Sequence, residues 1–139
     1  MISRVVLDTN VYVSALLFGG KPKQVLDLAL NGSLRLLISE QLKLEMERIL
    51  RDKFDFTARK IAESAELLWS DAEWIDPKFC LNICPDESDN RVLECALEGK
   101  AGYIVSGDRH LLSLQPIEGL AILLPSTFLE RFHATGAAF

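Results

Sequence analysis

Short apolar runs alternate along the chain with longer segments of helical periodicity. Val5-Val6-Leu7 is an uninterrupted run of β-formers, the pattern of a strand buried on both faces. It stops on Asp8-Thr9-Asn10, residue types that cap helices and make turns. Val11 to Phe18 reads as a short apolar helix closed by Gly19-Gly20. Pro22 suits the start of a second helix, whose buried face is Val25, Leu26, Leu28, Ala29 and Leu30, up to Gly32. Leu34 to Ile38 is a second strand. Ser39 is an N-cap for a helix through about Leu50 with Leu42, Met46, Ile49 and Leu50 as its stripe.

Thr57 can cap the next helix, which carries Ile61, Ala62, Ala65, Leu68 and Trp69. Ala72 to Ile75 is a weak strand, and Lys78 to Pro85 follows no period. After an acidic stretch, Val92, Leu93, Ala96 and Leu97 form the inward face of a helix ending at Gly99. Tyr103 to Ser106 is a clear strand. Leu111, Leu112 and Leu114 mark a short helix, Ala121 to Leu124 a last strand, and Ser126 caps a helix through about Phe132. One domain over residues 1–133 is expected, with 134–139 as a flexible tail.

Strands alternating with helices predict an α/β fold: a parallel sheet of about five strands, with helices on both faces. Right-handed crossovers put every strand exit on one edge. Two acids then share a crevice, because Asp8 ends the first strand and Asp108 follows Tyr103-Ile104-Val105-Ser106 in the same way. The helices bearing Glu45 and Asp89 open on that edge too.

Composition narrows the class. The 139 residues, 49% hydrophobic and 25% charged, are those of one globular domain rather than a disordered chain. No apolar run approaches the ~20 residues of a membrane span, and Met1-Ile2-Ser3-Arg4-Val5 has no signal-peptide pattern. Cys80, Cys84 and Cys95 cannot pair completely and form no CxxC. They read as small core residues of a protein in a reducing cytoplasm. The net charge of −5 argues against non-specific coating of nucleic acid. It does not exclude a nuclease, whose acids count as negative until a cation arrives.

Each acid has a plain structural reading beside the chemical one. Asp8 or Asn10 could cap the following helix. Glu45 falls on the border of its stripe, where a half-buried glutamate requires a partner; Arg48 is one. Asp86, Glu87 and Asp89 sit where a first helical turn favours acids, yet three in four residues exceed one cap. Taken together, Asp8, Glu45, Asp89 and Asp108 would repel strongly, and an all-oxygen set of this kind persists when Mg²⁺ or Mn²⁺ neutralises it. Such ions brace the charge of a phosphodiester in an in-line displacement. No serine–histidine pair or Gly-rich phosphate loop competes, and His110 and His133 are peripheral.

Four motifs in order, V-V-L-D-T-N, L-x-x-E-M, D-x-x-D-N-R-V-L-E-C-A-L and I-V-S-G-D-R-H-L-L, resemble those of a PIN domain (PilT N-terminus) across nearly the whole chain. The resemblance is to the branch of VapC-like toxins of toxin–antitoxin systems. It implies a Rossmann-like PIN fold and a Mg²⁺- or Mn²⁺-dependent endoribonuclease that cleaves single-stranded RNA to 5′-phosphate and 3′-hydroxyl ends. It also implies a cognate antitoxin and a homodimer. Residue by residue, Asp8, Glu45, Asp89 and Asp108 match the four metal-binding catalytic acids. Ser106 matches the Thr or Ser two positions before the last acid, and Asn10 the polar residue after the first. Asp86 could join the site or only cap the loop. Arg48, Arg51 and Arg109, with Lys21, Lys23 and Lys53, are candidates to meet a phosphate backbone. The alternative is a non-catalytic PIN module that binds RNA or protein. A haloacid-dehalogenase-type phosphatase would need an acid where Asn10 stands, and a receiver domain a Lys where Leu124 leads into Pro125-Ser126.

Overall fold

The computed structural model describes residues 2–114 and 116–135. Five strands, β1 Ser3–Leu7, β2 Leu34–Ile38, β3 Glu73–Trp74, β4 Tyr103–Val105 and β5 Ala121–Leu123, form one parallel sheet in the order β3-β2-β1-β4-β5. Among the described residues seven helices flank it: α1 Thr9–Phe18, α2 Gly20–Leu30, α3 Glu40–Phe54, α4 Ala58–Trp69, α5 Glu87–Glu98, α6 Arg109–Leu112 and α7 Pro125–Thr135. None of the described helices is long and apolar enough to cross a membrane.

The central strand is β1, with Val5, Val6 and Leu7 wholly buried. It pairs with β2 on one side and β4 on the other. Chain order therefore reverses direction between β1 and β4, and a crevice opens beyond their carboxyl ends. Helix α5 packs across β1, β2 and β4, so the acids of its first turn arrive at that edge. Ser39 and Thr57 cap α3 and α4 through their hydroxyls, accepting from the backbone N–H groups of Leu42 and Lys60.

Several elements depart from the sequence reading. Leu30 and Leu97, expected inside, are exposed; each lies at the C-terminal end of its helix. Cys84 and Cys95 are buried, and burial pushes the Cys95 thiol up to about 12, but Cys80 is exposed. The last helix starts on Pro125, a residue suited to N1 because it lacks an N–H, so Ser126 lies inside the helix rather than at its cap. That helix also takes in Ala134 and Thr135, the start of the expected tail; 136–139 lie outside the described residues.

Gly99, where α5 ends, is packed hard. A Cβ there would lie 2.8 Å from Leu37 Cδ1 and 3.0 Å from both Ile75 Cδ1 and the Cys95 carbonyl oxygen. The same residue's carbonyl accepts from Arg4 Nε and Nη2, while Arg4 forks onto Glu73 at 2.8 and 2.7 Å. Gly99→Ala is expected to cost about 1–3 kcal/mol by overpacking, measured by urea denaturation. An unchanged midpoint would show that Leu37 and Ile75 can give way.

Candidate metal centre

Asp8 occupies the N-cap position of α1, but its side chain makes no capping hydrogen bond. The backbone N–H groups of Thr9 and Asn10 lie near enough to favour its charged form without cap geometry. Its carboxylate turns to the sheet edge instead, where Oδ2 accepts from the Ser106 hydroxyl at 2.7 Å. Asp8 is 3% exposed, and burial raises its carboxyl above the ordinary range, against the lowering effect of Ser106. Register explains the meeting: Leu7 pairs with Val105, so the next residues, Asp8 and Ser106, sit side by side.

Ser106 links two acids. Its Oγ donates to Asp8 and accepts from the Asp108 backbone N–H at 2.9 Å. Asp108 in turn caps α6, with Oδ1 accepting from the N–H groups of His110 and Leu111 at 2.7 and 3.4 Å. Asp86 caps α5 through Ser88, and Asp89 stands three residues on, at the face an N-cap side chain shares with the first turn.

Asp86, Asp89 and Asp108 converge: each offers a carboxylate oxygen within 4.8 Å of the other two. Asp8 adjoins this group through its repulsion with Asp89 and Asp108. Asp89 is the most constrained. It is 2% exposed, its Oδ2 is fully buried without a hydrogen-bond partner, and burial, then Asp108, Asp8 and Asp86, push its carboxyl up to about 7. No ion pair among the described residues includes any of the four aspartates. An unpartnered buried carboxylate oxygen facing two further carboxylates suits a hard divalent cation.

Glu45, expected among these acids, forms an ion pair with Arg48. Its oxygens take Arg48 Nη2 at 2.6 Å and Nε at 3.3 Å, an i,i+3 pair on α3. Glu45 is not among the carboxylates whose oxygens meet within 4.8 Å, which are those of Asp86, Asp89 and Asp108. The same fork occupies Arg48, and Arg51 pairs with Asp52 at 3.2 Å. Arg109, the first residue of α6 beside Asp108, is exposed. Asn10 is exposed as well. Asp86, which the sequence left open, both caps α5 and joins the cluster. A cavity of about 370 Å³ lined by Ile2, Leu30, Arg35, Leu67 and Asp71 holds none of the four aspartates.

Carboxylates gather here at the switch point of a parallel sheet, the place where α/β folds bind their ligands. The sequence pattern of the PIN domain family matches residues 4–110, and the chain belongs to that family. The uncharacterized protein MJ1680 of Methanocaldococcus jannaschii is 31% identical over 144 residues, covering 94% of this chain and 92% of that one. Among solved structures, VapBC2 from Rickettsia felis, bound to a DNA fragment from their promoter, is similar with a TM-score of 0.57. That match covers 86% of this chain and 96% of the other at 15% identity, and it shows the fold.

Proposed function

We propose that the protein is a Mg²⁺- or Mn²⁺-dependent endoribonuclease acting on single-stranded RNA, the toxin of a toxin–antitoxin pair. One observation carries the reading: three carboxylates within 4.8 Å, one with a buried oxygen left unpaired. Asp86, Asp89 and Asp108, with Asp8 beside them, would hold the cation. A bound divalent ion lowers the pKa of water and braces charge on a phosphodiester.

The chain's own groups have the following roles. Ser106 fixes the Asp8 carboxylate and the Asp108 backbone in one geometry. Arg109, next to Asp108 at the mouth of the crevice, meets a phosphate of the strand; Arg48 and Arg51 are spoken for by acids and contribute less. Glu45 is paired with Arg48, so Glu45→Gln should lower activity less than loss of any aspartate. The VapBC2 likeness supports pairing with an antitoxin; a homodimer in the cytoplasm completes the proposal.

Ser106→Ala is expected to weaken Mn²⁺ binding about 10- to 100-fold, the usual effect of losing a group that orients a ligand. Calorimetric titration measures it, and an unchanged affinity would remove Ser106 from the site. The function itself is tested by cleavage of a labelled single-stranded RNA with Mn²⁺, with EDTA, and with Asp89→Ala. Cleavage only in the first supports the reading. RNA binding without cleavage in all three would favour a non-catalytic module.

A further inference from the structure

Beyond Ile75, whose N–H still donates to the Ile38 carbonyl at 2.8 Å, the segment leading from β3 to α5 is held by side chains of α5. Glu98 Oε1 accepts from the Lys78 N–H at 2.8 Å, and Glu94 Oε2 from Leu81 at 2.6 Å. Asn90 Oδ1 accepts from Ile83 and Cys84 at 3.1 and 2.8 Å. These three acceptors stand four residues apart, on one stripe of the helix. Asn90 differs from the other two. Its Nδ2 also donates to the Cys84 carbonyl at 3.1 Å, so it grips the peptide from both sides, and it is wholly buried. Only one orientation of the amide serves, since the reverse would set donors against two N–H groups.

We infer that Asn90 is a positioning residue for the metal centre, which sets the separation of Asp86 from Asp89 through its two-sided grip on Cys84. Asn90 follows Asp89 directly, and Cys84 precedes Asp86 by two residues with the rigid Pro85 between. One side chain thus ties the chain entering α5 to the first turn of α5, across the two acids that must converge. Beyond this grip, Asp86 is held by its own contacts with Ser88 and the Asp89 N–H. Glu98 grips the far end of the same segment and has no such link to the acids. The inference rests on the reading of the acids as a cation site.

The experiment compares wild type, Asn90→Ala and Glu98→Gln. Mn²⁺ affinity should fall about 10- to 100-fold in Asn90→Ala and stay within about twofold of wild type in Glu98→Gln. Without metal, the amide resonances of Asp86 and Asp89 should move in the first variant only. A third measurement needs no variant. Because coupling between sites is reciprocal, Mn²⁺ should slow hydrogen exchange at the Cys84 amide of wild type and leave Lys78 unchanged. Equal affinity losses in both variants, or no change at Cys84, would make the segment a structural strap and overturn the inference. Wild type that fails to bind Mn²⁺ overturns the cation reading first, while the metal-free resonances still report whether Asn90 places Asp86 and Asp89.

Discussion

Replacing Asp8 by asparagine is expected to reduce Mn²⁺-dependent cleavage of single-stranded RNA by at least about 100-fold while leaving the fold intact. The size follows from comparison, because groups that only orient a metal ligand already cost 10- to 100-fold when lost. The intact fold follows from geometry. Asparagine has the shape of aspartate, its carbonyl oxygen can still accept from Ser106, and Asp8 caps nothing whose loss would unravel α1. Removing a buried charge also relieves repulsion with Asp108. Circular dichroism and a cleavage time course give the two readouts, and wild-type cleavage by Asp8→Asn would end the proposed mechanism.

Asp89→Asn should show the opposite balance between stability and function. In the metal-free protein the Asp89 carboxyl is raised to about 7, against about 3.9 for an ordinary aspartate. The folded state therefore binds the proton more tightly than the unfolded state does. The Asp89 contribution to the stability of the metal-free protein is expected to fall as pH rises from about 4 to about 7 and to stay reduced above that. Asparagine avoids this cost, so at pH 8 without metal the variant should melt at least about 3 °C above wild type, with the gap closing toward pH 4. Adding Mn²⁺ reverses the order. A ligand at 100 times its Kd stabilises by about 2.7 kcal/mol, and only wild type should gain that in full. A variant no more stable than wild type at pH 8 would show that the cluster carries no unrelieved repulsion.

Hydrogen bonds from Ser106, the α5 cap and the α6 cap orient three of the four aspartates without neutralising any. On the proposed reading a divalent cation supplies the balancing charge.

Much of this was legible in the residues. Apolar runs ending on acids located β1 and β4 and set Asp8 and Asp108 on one edge, because buried parallel strands leave an unmistakable signal. The D-x-x-D spacing of Asp86 and Asp89 carried the information that both face one way, which only the helix N-cap at Asp86 made plain. Glu45 was harder. Its stripe position is compatible with a site or with Arg48, and an i,i+3 pair forms whatever lies beyond the helix. The segment from Lys78 to Pro85 was opaque for a different reason. Its backbone bonds go to side chains of α5 rather than to a strand or a helical turn, so no period marks them. Asn90, which ends that segment's path into the site, gave no signal beyond its place after Asp89.

Anomalous scattering from a crystal soaked in Mn²⁺ shows whether the aspartate cluster holds a divalent cation. A peak is expected among Asp86, Asp89 and Asp108, on the side facing Asp8, with carboxylate oxygens at about 2.0–2.3 Å. Clear density for the four aspartates with no peak between them, at a Mn²⁺ concentration that supports cleavage, would contradict it.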